Sequence, residues 1–191
     1  MHIWIDIDKN EHIPFIAAVV KELKDRGHWI TITAENSKTI KKSLEKYSLN
    51  VQLVGFLFSF FGFFSELSLV FRTTLLRDYI DKRKIDIAFS CGSKPMLYVC
   101  ATRQIPLISF IEEFKEKKIE KMQIILPNSF FIVPENIHEQ ELVNSGFYID
   151  RVAKYKGMIK TNDINPDMRS IKDIVSKIEY LNKHIGGEIK A

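Results

Sequence analysis

The fold is decided by residues 1–15, which read M-H-I-W-I-D-I-D-K-N-E-H-I-P-F. Three isoleucines alternate with other residues in an apolar run that is typical of a strand buried on both faces, and the polar tetrad at 8–11 ends it. Pro14 then stands at a favourable first-turn position of a helix, and apolar residues follow it at helical spacing. The sequence therefore predicts a strand, a polar loop and a helix.

The loop of this unit holds the first candidate site. Ligands of doubly wound folds bind at the carboxyl ends of parallel strands, and the helix that follows favours anions at its N-terminus. We predict His12 and Asp8 as catalytic residues, because an imidazole acts as a general base near neutral pH and a neighbouring carboxylate can orient it. Asn10 and Glu11 are predicted to bind substrate. The alternative is that the loop merely caps the helix and that His12 is solvated.

The rest of the chain repeats the same pattern. Strand-like and helical segments alternate with short polar connections, which predicts an α/β Rossmann-like fold: a mostly parallel sheet of six or seven strands with helices on both faces. Apolar residues at helical spacing predict an amphipathic helix at the C-terminal end. We expect a Rossmann-like domain at 1–160, a linker at 161–167, and a C-terminal helix and tail at 168–191.

Two further groups of residues are predicted at the same edge of the sheet. Ser90, Cys91, Gly92 and Ser93 follow a predicted strand, and such a turn can present backbone N–H groups to a phosphate or to a sugar hydroxyl. The pair at 112–113 (Glu112 and Glu113) follows the next strand and is predicted to bind sugar hydroxyls. A solvated charge run is the alternative for this pair, and an inert thiol is the alternative for a nucleophilic Cys91.

Residues 55–65 hold an unusual density of phenylalanine. Six aromatic rings in eleven residues predict contact with a membrane or lipid, burial in a partner, or packing in the protein's own core. The basic helix that follows suits anionic headgroups. The predicted contact residues are Phe56, Phe58, Phe60, Phe61, Phe63, Phe64 and Arg72.

Composition narrows the function classes. The net charge of +4 is mild, and basic residues do not alternate with exposed aromatics, so no nucleic-acid partner is expected. The two cysteines form no CxxC or metal-ligand spacing, so we predict no metal site and a reducing, cytoplasmic setting. The phenylalanine-rich stretch predicts peripheral attachment at the inner face of the membrane. Neither GxGxxG nor a P-loop motif is present, which argues against a classical dinucleotide or P-loop site.

Five segments, in order over residues 1 to about 160, carry a family resemblance: M-H-I-W-I-D-I-D-x-x-x-H-I-P-F, R-G-H-x-I-x-I-T-A-E, K-I-D-I-A-F-S-x-G-S, I-P-L-I-S-F and F-I-V-P-E-N-I. Together they resemble the DUF354 family of mainly archaeal and bacterial proteins, which is similar to the GT-B glycosyltransferases and the UDP-N-acetylglucosamine 2-epimerases. Cys91 replaces a histidine of the family pattern, and glutamates stand at 112–113 where the family usually has aspartates.

The resemblance implies a fold and an activity. GT-B enzymes have two Rossmann-like domains, of which the first mostly holds the acceptor and the second the nucleotide-sugar, and this chain corresponds to the first. It implies a base or acceptor-binding role for His12. No tightly bound cofactor is expected, and a UDP-sugar donor would come through a nucleotide-sugar-binding partner chain or a homo-oligomer, with a membrane lipid carrier as a further partner.

These observations lead to two functional hypotheses. The first is the acceptor-binding half of a GT-B glycosyltransferase-like enzyme, associated with the membrane and dependent on a separate donor-binding domain. The second is a non-catalytic binding or regulatory module derived from a GT-B domain. A hydrolase or epimerase complete in one chain ranks below both.

Overall fold

A computed structural model describes residues 1–55, 62–112, 129–157 and 159–188, with the side chains of 62–65 and 186–188 left out. Within these ranges seven strands form a single sheet in the order β3-β2-β1-β4-β5-β6-β7, and every neighbouring pair is parallel. The strands are β1 (His2–Ile7), β2 (Trp29–Ala34), β3 (Gln52–Leu53), β4 (Ile87–Ser90), β5 (Leu107–Phe110), β6 (Ser129–Pro134) and β7 (Val152–Tyr155). The predicted α/β Rossmann-like fold is confirmed.

Six α-helices connect these strands or follow them in the described residues. They are α1 (Ile13–Asp25), α2 (Lys38–Tyr47), α3 (Gly62–Ile80), α4 (Lys94–Arg103), α5 (Glu139–Asn144) and α6 (Met168–Glu188). A short 3-10 helix, Asn10–His12, lies between β1 and α1, and a second one, Ile149–Arg151, precedes β7. The predicted C-terminal amphipathic helix is therefore present as α6. The strand-like piece predicted at 123–126 lies outside the described residues.

The central feature of the sheet is the pairing of β1 with β4. Ile5 lies opposite Phe89, although these strands are far apart in the sequence, and β2 occupies the other side of β1. The chain leaves β1 toward α1 on one face of the sheet and leaves β4 toward α4 on the other face. The strand order therefore reverses between β1 and β4, and in doubly wound folds such a reversal marks the crevice at the carboxyl ends of the strands where ligands bind.

Alternation along β1 builds two cores. The isoleucines at 3, 5 and 7 pack with α1, α2 and α6, whereas Trp4 packs with α3 and α4. Helix α6 is also bonded to the loop before β2: Arg26 Nη1 donates to Glu179 Oε2 at 2.8 Å, and His28 Nε2 lies 2.8 Å from Glu179 Oε1. The C-terminal helix is thus part of the principal core.

A buried ion pair joins α3 to the centre of the sheet. Asp6 points to the same face as Trp4 and is 2% exposed, and its Oδ1 accepts a hydrogen bond from Arg72 Nη2 at 2.8 Å. The hydroxyls of Thr33 and Ser93 also donate to this carboxylate, at 2.7 and 2.6 Å. Arg72 is itself 2% exposed, and its Nε donates to the Val54 carbonyl at 3.2 Å. One guanidinium therefore bridges β1 and the end of β3.

We expect Arg72→Met to lower the free energy of unfolding by roughly 3–5 kcal/mol, because it leaves Asp6 buried without its charged partner. The double variant Asp6→Asn with Arg72→Met should recover much of that loss, since it removes both charges. Urea denaturation followed by circular dichroism measures each change. Arg77→Met, on the same helix but with a half-exposed side chain, is the control. An Arg72→Met protein as stable as the wild type would show that the ion pair does not hold α3 in place.

Candidate functional site

The candidate site lies at the carboxyl ends of four adjacent strands. In sheet order, β2, β1, β4 and β5 are followed by Glu35, Asp8, Cys91 and Glu112. These groups also act on one another electrostatically, because the negative charges of Asp8 and Glu112 contribute to raising the pKa of the Cys91 thiol. The polar groups that the sequence predicted on three separate loops thus share one edge of the sheet.

The corner between β1 and α1 places His12 in a protected position. The 3-10 helix Asn10–His12 makes the turn, the His12 backbone N–H donates to the Lys9 carbonyl at 3.3 Å, and α1 begins at the next residue. The His12 side chain is buried, and its Nε2 lies 3.9 Å from Glu11 Oε1. Asn10 and Glu11 are exposed on the outside of the corner. His12 is therefore held by the local structure and is not a freely solvated loop residue.

Asp8 carries the most perturbed carboxyl group at this edge. Burial and the negative charge of Asp6 raise the pKa of Asp8 to about 6, and the positive charges of Arg72 and Lys9 only partly oppose this shift. A carboxyl group with a pKa near 6 is largely ionised at neutral pH and can accept a proton there. The raised pKa is compatible with proton transfer by Asp8, and its catalytic role stays a prediction.

Glu35, which directly follows β2, was not predicted as a site residue from the sequence. Ile7 lies opposite Ala34 in the ladder, and the Glu35 backbone N–H donates to the Ile7 carbonyl at 3.0 Å, so Glu35 stands beside Asp8. The residue is 5% exposed. Burial is the main cause that raises the pKa of Glu35, and the charges of Asp8 and Asp6 add to it. Its place at the end of a predicted strand was the signal available in the sequence.

The turn between β4 and α4 is closed by its own hydroxyls. The backbone N–H groups of Gly92 and Ser93 both donate to Ser90 Oγ, at 3.0 and 2.9 Å. Ser93 caps α4 by accepting from the Met96 N–H, while its hydroxyl donates to Asp6. The two N–H groups proposed for a phosphate or a sugar hydroxyl therefore already have an acceptor within the turn.

The Cys91 thiol is buried, and the Glu112 carboxylate already has a hydrogen-bond partner. Burial, more than any charge, raises the pKa of Cys91, so its thiol stays protonated and unreactive at neutral pH. Glu112 is exposed, but its Oε2 accepts hydrogen bonds from the Thr161 N–H at 3.2 Å and from the Thr161 hydroxyl. Glu112 thus fastens the segment before α6 to the end of β5. Glu113 lies outside the described residues.

The predicted lipid or partner contact of Arg72 does not match its position. The guanidinium is buried against Asp6 and Val54 and is not available to a headgroup. A side chain at Gly55 would meet it, because a Cβ there would lie 2.9 Å from Arg72 Cγ. Of the predicted aromatic contacts, Phe56, Phe58, Phe60 and Phe61 lie outside the described residues, and Phe63 and Phe64 belong to the first turn of α3 with their side chains undescribed.

Among the described residues, no group of three or more histidine, cysteine, aspartate or glutamate side chains is placed to hold a metal ion. None of the helices in these ranges has the length and apolar character needed to cross a bilayer. A shallow depression of about 480 Å³ opens at the opposite, amino-terminal edge, beside Trp29 and Lys84. It is remote from the polar groups described above, so we place the candidate site at the carboxyl edge.

We expect Asp8→Asn to stabilise the protein at pH 7.5 and to leave its stability unchanged near pH 4. A carboxyl whose pKa is raised from 3.8 to about 6 binds more protons in the folded than in the unfolded state between these values, so it costs stability as the pH rises. Urea denaturation at both pH values should show a gain of about 1–3 kcal/mol at pH 7.5 only. Asp150→Asn, at an exposed position, is the control. Equal effects at both pH values would contradict the raised pKa.

Structural comparison finds solved structures that share this fold. MurG of Acinetobacter baumannii superposes with a TM-score of 0.59 at 12% identity, over 84% of this chain and 46% of that one. A UDP complex of Staphylococcus aureus MnaA gives 0.61 at 13% identity, over 81% and 44%. A UDP-N-acetylglucosamine 2-epimerase gives 0.60 at 13% identity, over 81% and 48%. The chain thus spans about half the length of these structures and has the fold of one GT-B half.

Sequence comparison identifies the family. No curated protein matches the sequence. The profile of the family described as "Protein of unknown function (DUF354)" matches residues 1–186, nearly the whole chain. The predicted resemblance is confirmed, and the chain belongs to the DUF354 family.

Proposed function

We propose that this chain is the acceptor-binding half of a GT-B glycosyltransferase-like enzyme that works with a separate nucleotide-sugar-binding domain. The observation that carries the proposal is the β1–α1 corner, where a buried His12 and an Asp8 of raised pKa lie beside the crevice between β1 and β4. The fold of a single GT-B half supports it. In this proposal residues 1–160 are the acceptor domain, 161–167 a linker and 168–191 a terminal helix and tail.

The chemistry assigned to this half is activation of a hydroxyl group. The acceptor oxygen forms a bond to the anomeric carbon of the sugar while the bond from that carbon to the nucleotide's phosphate oxygen breaks, and the hydroxyl proton passes to a base. Asp8 or His12 supplies that base, because both lie on the loop that leaves the central strand. The nucleotide-sugar comes from a partner chain or a second copy, so no tightly bound cofactor is needed in this half.

A transfer assay tests this function. Purified chain is added to a soluble extract of the source organism depleted of the native protein, with radiolabelled UDP-N-acetylglucosamine and membranes of the same organism. We expect label to enter the lipid fraction only when the chain is present, and His12→Gln or Asp8→Asn to lower the initial rate roughly 100-fold or more, as loss of a general base does. The wild-type transfer rate should decrease when the pH is lowered below about 6, because Asp8 is then protonated.

Two results of this assay would contradict the proposal. Transfer at the wild-type rate by both variants would remove the catalytic role of the β1–α1 corner. Hydrolysis or epimerisation of the UDP-sugar by the purified chain alone would favour an enzyme complete in one chain. His138→Gln, at the exposed position that precedes α5, is the matched control and should transfer at the wild-type rate.

Membrane attachment is the second part of the proposal. Leu67, Val70 and Phe71 are 54%, 64% and 45% exposed and, at this spacing, lie on one side of α3. In the sequence they follow the phenylalanine-rich stretch at 55–65, so an apolar stretch of sequence leads into an exposed apolar side of α3. Attachment through this surface would keep the protein on the cytoplasmic face of the membrane, close to a lipid-linked acceptor.

Liposome co-sedimentation tests the attachment. We expect the intact chain to sediment with vesicles of phosphatidylglycerol and phosphatidylethanolamine, and the triple change of Leu67, Val70 and Phe71 to serine to reduce the bound fraction at least five-fold, because apolar area no longer enters the interface. A double change of the exposed Tyr148 and Ile164 to serine is the matched control. Failure of the intact chain to bind vesicles would contradict membrane attachment and favour a protein partner at the same surface.

The second candidate function is a non-catalytic binding or regulatory module. The observation that favours it is the closed turn between β4 and α4, where the Gly92 and Ser93 N–H groups serve Ser90 and not a ligand. In that case the apolar side of α3 would be a protein interface. Ligand binding at the crevice without any transfer in the assay above would identify this function.

A further inference from the structure

The two outer strands of the sheet differ in how well their free edges are protected. In the described part of the chain, β3 ends the sheet on one side and β7 ends it on the other. Proteins commonly blunt such edges with very short strands, prolines, bulges or charges, because an open edge can pair with another chain. β3 is only two residues long. β7 is four residues long, pairs with β6 in an unbroken parallel register and contains no proline.

The main-chain groups of β7 point alternately toward β6 and away from it. The Tyr155 carbonyl accepts from the Glu135 N–H at 3.0 Å, so Tyr155 faces β6, and by alternation Val152 and Lys154 face the outer side. The Val152 N–H donates to the Ile149 carbonyl. The carbonyl of Val152 and both main-chain groups of Lys154 are therefore directed to the free edge.

The charged side chain of β7 does not screen this edge. Lys154 Nζ donates to the Ile137 carbonyl at 2.8 Å, so the ammonium group is held beside the segment that follows β6. The residues that lead into the strand are apolar and exposed, since Tyr148 is 70% exposed and Ile149 is 37% exposed. Tyrosine is enriched where proteins bind one another. An open strand edge and an exposed apolar approach to it thus occur together.

Antiparallel pairing of β7 with β7 of a second copy suits these groups best in one register. With Val152 opposite Lys154 of the second copy, each Lys154 N–H donates to a Val152 carbonyl about a two-fold axis. The same register brings Asp150, before the strand, toward Lys156, after it, and both are exposed. A register with Lys154 opposite Lys154 sets like charges side by side. One with Val152 opposite Val152 needs N–H groups that already donate to Ile149.

We propose that β7 is the surface through which two copies of this chain form a dimer with one continuous sheet. Main-chain hydrogen bonds between Val152 and Lys154 join the copies, and ion pairs between Asp150 and Lys156 fix the register. A four-residue edge buries less area than a tight dimer needs, so the dimer is weak and depends on concentration.

The dimer also narrows the proposed function. Four strand spacings separate β1 from β7 in each copy and one more joins the copies, so nine spacings of about 4.8 Å lie between the two β1 strands. The candidate sites of the two copies are then about 40 Å apart. A copy bound at β7 therefore cannot cover the crevice of its partner, and the nucleotide-sugar must come from a different chain.

Sedimentation velocity of the full chain at about 5–200 µM tests the dimer. We expect the sedimentation coefficient to rise with concentration toward that of a dimer. Lys154→Pro should raise the dissociation constant at least ten-fold, because it removes the outward N–H and leaves the bonds to β6 in place. Lys154→Ala keeps that N–H and is the matched control. A wild-type chain that stays monomeric, or a Lys154→Pro protein that is folded by circular dichroism and dimerises like the wild type, would overturn the proposal.

Charge exchange tests the register without altering the main chain. Asp150→Lys and Lys156→Glu should each raise the dissociation constant at least three-fold, because each sets like charges opposite one another, and the double variant should restore it. Asp163→Lys, at an exposed position before α6, is the control. Single variants that dimerise like the wild type, or a double variant no tighter than the singles, would contradict the register. Dimerisation of a chain that is inactive in the transfer assay would support this inference and contradict the proposed function alone.

Discussion

The ion pair between Asp6 and Arg72 is the constraint on which the rest of the architecture depends. Both side chains are almost fully excluded from water, and removal of two charges from solvent is compensated only when geometry and additional hydrogen bonds are good. Here the carboxylate also receives the hydroxyls of Thr33 and Ser93. A single group on β1 thereby fixes the positions of β2, α3 and the start of α4. The geometry of the loops around the crevice depends on this arrangement.

The same arrangement explains why the candidate site is acidic. Asp6 is paired with the guanidinium of Arg72. The positive charge of Arg72 therefore only partly offsets the burial of the carboxyl groups of Asp8 and Glu35, which follow β1 and β2. The raised pKa of Asp8 is a direct result, with burial as its main cause and Asp6 as the next. The Asp6 charge that pairs with Arg72 also raises the pKa of Asp8 and so favours protonation of Asp8 at mild pH. Fold stability and site chemistry are therefore linked.

Much of this architecture is predictable from the sequence, because periodicity reports which faces of an element are buried. Alternating isoleucines predicted β1, Pro14 predicted the start of α1, and helical spacing predicted α6. Long-range partners are not encoded in any local pattern. Arg72 was therefore predicted on the surface of a basic helix, although it is buried and pairs with Asp6, which lies 66 residues earlier in the sequence. Glu35 was missed for the same reason, since its importance comes only from the register that sets it beside Asp8.

The position of β1 in the middle of the sheet has a consequence for synthesis of the protein. β1 is translated before its neighbour β4 and before Arg72, which supplies the cation for Asp6. Contacts between residues so distant in sequence make folding slow, and incomplete sheets expose strand edges meanwhile. Nascent chains stopped before α3 would carry an uncompensated anion in their nascent hydrophobic interior. The ion pair of Asp6 with Arg72 therefore cannot form until α3 has emerged from the exit tunnel.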